Sequence, residues 1–102
     1  LRRKAEFERL LREGARRSAN GYTFYLARRD AGGARLGILV SRRHARGAAV
    51  RNRIKRCIRE AFRLEQETLG PLDLLVRPPY GIKPTAKMIA QLRTLFTQLT
   101  SR

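Results

Sequence analysis

Among 102 residues there is no tryptophan, a single cysteine, a single histidine and only eight acidic side chains. One cysteine, Cys57, excludes an intrachain disulfide framework, so the fold must rest on a packed core. Cys57 lies on an apolar stripe of helical spacing, which reads as a packed, reduced thiol. The lone His44 has no Cys, Asp or Glu at ligand spacing, so no structural metal site is expected and the ring is placed near phosphate instead. The eight acids make no paired carboxylate site: Glu65 and Glu67 read as surface charges and Asp73 opens a strand. Neither a two-metal clamp nor a histidine-based acid and base pair can be assembled from them. The sequence therefore points to no catalytic residue and no metal ligand in the protein, and a free-standing nuclease ranks low. No apolar run approaches the ~20 residues of a membrane span, and the amino end lacks the charged, apolar and small-residue succession of a signal peptide. A soluble, intracellular protein is expected. The sequence starts at Leu1 rather than at methionine, which leaves room for a basic amino-terminal extension ahead of it.

What the chain has in excess is positive charge. Lys and Arg number 24 against eight acids, a formal net charge of +16 and a pI near 11.7. That exceeds what solubility requires and is self-repelling in a compact state, so a polyanion, nucleic acid first, is the expected partner. A hydrophobic content of 42% and periodic apolar positions exclude a disordered basic tail. The length suits one domain, residues 1–102, with a single modest core.

The charge is densest from Arg51 to Arg63. On a helical projection Val50, Ile54, Cys57, Ile58, Ala61 and Phe62 gather on one side, while Asn52, Arg56, Arg59 and Arg63 line up opposite, flanked by Arg51, Lys55 and Arg53. A basic helical face is ordinarily just solvated. This one has Glu60 as its only acid, so it lacks the mixed signs that support a helix at i to i+4 and repels itself without a polyanion. Asn52, by itself, reads as making a local backbone bond near the helix start.

Residues from about Arg3 to Glu13 carry Phe7, Leu10 and Leu11 at helical spacing, with Gly14 as a stop. Tyr22 to Arg28 alternates as a strand, with Tyr22, Phe24 and Leu26 on one face and Thr23, Tyr25 and Ala27 on the other. Asp30-Ala31-Gly32-Gly33 supplies turn chemistry and Leu36 to Val40 forms a second strand, making a hairpin. A polar, basic segment from Ser41 to Gly47 leads into a helix from about Ala48 to Glu67 that stops near Gly70-Pro71. Leu72 to Val76 reads as a buried strand. The last helix starts near Pro84-Thr85, with Thr85 as cap, and buries Ile89, Leu92, Leu95, Phe96 and Leu99. The order of helix, two or three strands, helix, strand and helix is that of an α+β domain with one sheet, the strands flanking the basic helix lying parallel. Phe24 is expected in the core and Tyr22 is undecided. Tyr25, between small Thr23 and Ala27, divides evenly between core and an exposed stacking role.

Arg51-Asn52-Arg53-Ile54-Lys55-Arg56, followed by Ile58-Arg59-Glu60 and Phe62-Arg63, resembles the protein subunit of bacterial ribonuclease P. The resemblance extends to Leu36-Gly37-Ile38-Leu39-Val40-Ser41-Arg42-Arg43, to Phe7, and to Asp73-Leu74-Leu75-Val76-Arg77. It implies an α+β sandwich with a mixed sheet, in which the basic helix is a left-handed crossover between parallel strands, against the general right-handed expectation. It also implies that a small basic protein joins a large catalytic RNA and that the two together remove the 5′ leader from precursor tRNA. The RNA, with its bound magnesium, performs the hydrolysis. No cofactor intrinsic to the protein, no obligate protein partner, no membrane and a bacterial cytoplasmic location follow from the same resemblance.

Carried over by position, Asn52, Arg53, Lys55, Arg56 and Arg59 match the helix that faces the catalytic RNA, and Arg42, Arg43, Arg51 and Arg63 extend that surface. Arg42-Arg43 stands where the family commonly has two lysines, which keeps the charge and adds bidentate phosphate geometry. Phe7 and Tyr25 match aromatic positions of a groove between the first helix, the sheet and the basic helix, where the single-stranded leader lies. Leu11 stands where some members carry a second aromatic, and Thr23 shares the face of Tyr25. Stacking on a ring is worth ~1–3 kcal/mol per base and tolerates sequence, which suits a protein that meets many leaders. A structural ribosomal-type RNA-binding protein with no role in cleavage is the alternative.

Overall fold

The structure, a computed structural model, describes residues 4–100. The elements run α1 (Lys4–Glu13), β1 (Ala15–Ala19), β2 (Tyr22–Arg28), β3 (Arg35–Ile38), α2 (Ala48–Leu69), β4 (Leu72–Arg77) and α3 (Ala86–Thr100). Among the described residues three helices and one four-stranded mixed sheet make an α+β fold. The predicted first helix is present from Lys4; Arg3 lies outside the described residues.

The sheet order is β1-β2-β4-β3. Strand β2 pairs antiparallel with β1 on one side and with β4 on the other, and β3 pairs parallel with β4. Helix α2 is thus the connection between two parallel neighbours, as expected from the chain order. The expected hairpin between Tyr22–Arg28 and Leu36–Val40 does not form, because β4 lies between them. Leu72, Leu74, Leu75 and Val76 are all fully buried, so β4 loses the most water-exposed apolar area by taking a central place in the sheet. The Asp30–Gly33 turn instead folds on itself: the Arg29 guanidinium donates to the carbonyls of Ala31, at 3.5 Å, and Gly33. The hairpin that does form joins β1 to β2 through Asn20 and Gly21, both at positive φ (52° and 84°), the turn geometry that suits a two-residue hairpin loop. Strand β1 escaped the sequence reading because Arg16, Arg17 and Ser18 leave it exposed at the sheet edge with no apolar alternation to mark it.

One face of the sheet holds the main core. Tyr22, Phe24, Leu26, Leu72, Leu74 and Val76 pack against Ile54, Ile58, Ala61, Phe62 and Leu69 of α2 and Met88, Leu92, Leu95, Phe96 and Leu99 of α3. Phe24 is core as expected, and Tyr22 resolves to core at 0% exposure. Ile89 is only half-buried, while Met88 takes the inner position one residue earlier. Helix α2 runs two residues beyond the predicted end and closes at Gly70, whose φ of 73° favours glycine and whose amide donates to the Gln66 carbonyl at 3.2 Å. That longer apolar stripe corrects Glu65: it is buried, not a surface charge, because it sits one turn past Phe62 facing α3, where the Arg93 guanidinium donates to it at 2.8 Å.

The opposite face is only half covered. There α1 lies on Tyr25 and Leu75 through Leu10, with Phe7 and Leu39 beside them. Cross-strand partners share a face, so Arg16, Ser18, Thr23 and Arg77 continue this side of the sheet beyond the helix.

Candidate nucleic-acid interface

The outer face of α2 presents the predicted cations. Asn52, Arg53, Arg56, Arg59 and Arg63 are exposed, and Arg51 and Lys55 are half-buried. They differ in what they touch. Arg63 pairs with Glu60 one turn back, and Arg51 donates to the carbonyls of Ala45 and Arg46 at 3.0 and 2.7 Å, strapping the preceding loop to the helix. Arg53, Lys55, Arg56 and Arg59 make no ion pair among the described residues. The Asn52 side chain likewise makes no hydrogen bond there, so its local backbone reading gains nothing from the structure. The start of α2 adds to the positive field: its first turn holds no acid, and Gly47 at the cap offers no side-chain acceptor to the free amides.

The loop from Ser41 to Gly47 carries three more arginines. Arg42, Arg43, Arg46 and Arg51 surround a shallow depression with Ala48 on its floor. Arg46 was missed from sequence because it belongs to no motif; the density of arginine in an otherwise small-residue loop was the available signal. His44 departs from expectation. Instead of facing outward toward phosphate it is 5% exposed, its ring tilted against Tyr80 with centroids 4.6 Å apart. Burial, with the Arg77 cation adding to it, holds its imidazole below the ordinary value of 6.5.

On the far side of the sheet α1 brings Phe7 into the cluster that holds Tyr25, while Thr23 continues that face beyond the helix and Leu11 is exposed. The Phe7 ring lies directly on the backbone of Gly37, close enough that a methyl there would meet it at 2.9 Å. Leu11 is 42% exposed and offers the largest free apolar surface on the helix. Tyr25 is 8% exposed and Thr23 7%, so they make a buried floor on this face of the sheet. The open setting anticipated for Tyr25 between two small neighbours is narrowed because α1 packs Leu10 against it. Arg77 stands over this floor, its guanidinium 3.5 Å from the Thr23 hydroxyl. Arg77 and Arg16 were not singled out as groove residues, since their place follows from β4 and β1 flanking β2. The chain then passes from groove to basic loop within two residues: Leu39 packs on the α1 side and Val40 on the main core.

The acid beside Phe7 on α1 is neutralised. Arg35 donates two bonds of 2.8 Å to the Asp73 carboxylate and lies 3.1 Å from Glu6, while Arg29 Nε lies 3.0 Å from Asp73. The hydrogen bonds from Arg35 hold the Asp73 carboxyl below its ordinary range. This cluster ties α1, β3 and β4 together. Among the described residues no group of three or more His, Cys, Asp or Glu is placed to hold a metal ion, and no helix is long and apolar enough to cross a membrane.

A surface with four unpaired cations on one helical face, continuous through a short loop with an apolar groove, suits a flexible polyanion with bases to stack. The family model described as Ribonuclease P matches residues 1–100. The ribonuclease P protein component of Thioalkalivibrio sulfidiphilus is 32% identical over 99% of this chain and 86% of its own length. That of Methylococcus capsulatus is 39% identical over 92% of this chain and 76% of its own. The solved structure of the Staphylococcus aureus RNase P protein is similar with a TM-score of 0.81 at 24% identity, covering 99% of this chain and 94% of that one.

Proposed function

The chain belongs to the ribonuclease P protein family, and from that premise we propose that it binds the catalytic RNA through the outer face of α2 and the Ser41–Gly47 loop and takes the single-stranded leader of precursor tRNA into the groove beneath α1. The family is the protein component of an endoribonuclease that processes tRNA, which implies an RNA partner. In this reading the RNA carries the catalytic centre, magnesium is held mainly by the RNA, the isolated protein does not cut, and the complex works in the bacterial cytoplasm. The observation that carries it is the set of unpaired cations Arg53, Lys55, Arg56 and Arg59, which repel one another on a single helical face and gain most by meeting phosphates.

Each part of the surface has a task it can perform physically. Arginine and lysine neutralise phosphates without reading bases, so they fix position and lower the repulsion between two RNAs. Phe7, Leu11 and the edge of Tyr25 offer apolar contact to bases of any identity. Arg77 and Thr23 stand beside them as hydrogen-bond donors to the leader backbone. The ribosomal-type alternative has no support in the family match.

The test is cleavage of 5′-labelled precursor tRNA at low magnesium by bacterial catalytic RNA alone, by the protein alone, and by both. Efficient cutting at the mature 5′ end only by the combination is the expected result. No gain from the protein would refute the role in cleavage, and cutting by the protein alone would refute the placement of the chemistry in RNA.

A further inference from the structure

The segment from Ser41 to Gly47 has to hold Arg42, Arg43 and Arg46 close together, next to Arg51, against their mutual repulsion. Its backbone is organised around one buried side chain. The His44 amide donates to the Ser41 carbonyl at 2.9 Å, and the Ser41 amide donates back to His44 Nδ1 at 2.9 Å, so the imidazole closes the turn that its own backbone opens. The Ser41 hydroxyl lies 3.3 Å from the same nitrogen and accepts from the Arg43 amide at 3.3 Å. From the loop after β4, Tyr80 packs on the ring and the Gly81 amide donates to the His44 carbonyl at 3.3 Å. His44 therefore joins the two loops at this end of the sheet, while its side chain touches no surface an RNA could reach.

We propose that His44, as a neutral imidazole accepting the Ser41 amide at Nδ1, is a positioning residue that holds the arginine loop in its RNA-binding shape and uncouples that shape on acidification. The inference rests on the reading of Arg42 and Arg43 as RNA contacts. An N–H donor on Nδ1 fixes the proton of the neutral ring on Nε2, which is buried. A second proton has to go onto Nδ1, and there it removes the acceptor of the Ser41 amide. No charged group facing the ring compensates the new charge: Arg77 at the end of β4 is a cation, the loop itself adds three arginines, and the hydrogen bonds that the Pro78 and Ser41 backbone offers the protonated ring are outweighed by its burial. No carboxylate appears among the groups that act on it. The folded state therefore binds this proton less readily than the unfolded chain. Loop order is complete above the ordinary value of 6.5 and is lost as pH falls below it.

Acidification thus separates two outcomes of opposite sign. Added positive charge by itself tightens RNA binding, whereas loss of the loop shape weakens it. The experiment is binding of the full chain to bacterial ribonuclease P RNA at fixed salt, from about pH 7.5 to about pH 5.5, across the ordinary histidine range. Wild type, His44→Asn, His44→Leu and the double variant Arg42→Ala/Arg43→Ala are compared, with circular dichroism at each pH to follow the fold. In His44→Asn, Oδ1 replaces Nδ1 as acceptor and does not titrate; in His44→Leu, bulk is kept and the acceptor is lost. Wild type is expected to weaken on acidification while His44→Asn stays flat and close to the wild-type affinity at the upper pH. His44→Leu is expected to bind about tenfold more weakly, the scale of one buried hydrogen bond.

Wild-type binding that tightens on acidification, or a His44→Leu variant that binds as wild type, would overturn the inference while leaving the RNA interface standing. Unchanged binding by Arg42→Ala/Arg43→Ala would instead refute the interface on which it rests. Should His44→Leu fail to fold, the contrast in pH profile between wild type and His44→Asn decides.

Discussion

Gly37→Ala tests how α1 is seated on the sheet, over the groove proposed to take the leader. Gly37 lies on β3 opposite Leu75, beneath the Phe7 ring, and a Cβ there would come within 2.9 Å of both Leu75 Cδ1 and Phe7 Cζ. Its backbone is not in the left-handed region, so the cost is steric. Leu75 is fully buried on the central strand. Phe7 sits on a ten-residue helix anchored by Leu10 and by the Glu6–Arg35 pair, so the helix is the part that moves. Overpacking of this kind costs about 1–3 kcal/mol, offset by about 0.4–1 kcal/mol from the stiffer unfolded chain. A net loss near ~1.5 kcal/mol lowers Tm by roughly 6–12 °C in a domain of this size. Urea and thermal unfolding measure it, and a double-mutant cycle with Phe7→Ala identifies the cause: with the ring removed, the added methyl fills space, so the two changes should couple favourably by about 1 kcal/mol. In holoenzyme assays Gly37→Ala should weaken binding of leader-bearing precursor more than that of leaderless tRNA. Additivity within about 0.5 kcal/mol, or an unchanged Tm, would refute the seating of Phe7 on Gly37.

Three other predictions follow from single contacts. Among the described residues the buried Tyr22 hydroxyl has no partner, and burial, with Cys57 adding to it, pushes its pKa up to about 12; Tyr22→Phe should stabilise the fold by about 1 kcal/mol in urea unfolding, and a loss instead would reveal a hydrogen bond to that oxygen. Asp73 is held below its ordinary 3.8 chiefly by the Arg35 hydrogen bond, so its contribution is present above that value and is lost as pH falls through the lowered one. Asp73→Asn should therefore cost about 1 kcal/mol at neutral pH, discounted because Arg35 is largely solvated, and should flatten the acid limb of a stability profile; an unaltered limb would count against the pair. Arg56→Ala/Arg59→Ala should reduce the slope of log affinity for RNA against log salt by about 1.4–1.8, and an unchanged slope would exclude phosphate contact by these side chains.

Much of this protein was legible locally. The apolar stripe from Ile54 to Phe62 and the cations opposite it are a matter of helical periodicity, which the chain carries wherever the helix sits. Leu92, Leu95, Phe96 and Leu99 of α3 followed from the same rule, Phe24 from the two-residue alternation of a strand, and the stop near Gly70 from the preference of helix ends for glycine. The parallel relation of β3 and β4 was legible from their separation by a long helix. Pairing partners were not. Strand β2 has two neighbours, one separated from it by only two residues and the other by more than forty in sequence, and the choice between β3 and β4 as its second partner depends on which strand loses more water-exposed apolar surface in the centre.

That choice has consequences for the interface. With β4 beside β2, Arg77 reaches Thr23, and β1 brings Arg16 alongside Tyr25. The inward turn of His44 and the burial of Glu65 have the same origin: each is a polar residue whose neighbours come from a distant part of the chain, Tyr80 in one case and Arg93 in the other. The amino-acid order by itself determined where the helices lie, which faces are apolar, and that a concentrated positive charge requires a polyanion, because these depend on spacing along a local helix or strand. Only the tertiary structure decided strand order, the floor of the groove and which charged or polar groups are withdrawn from solvent, because those depend on contacts between residues tens of positions apart, whose free energy no local pattern encodes.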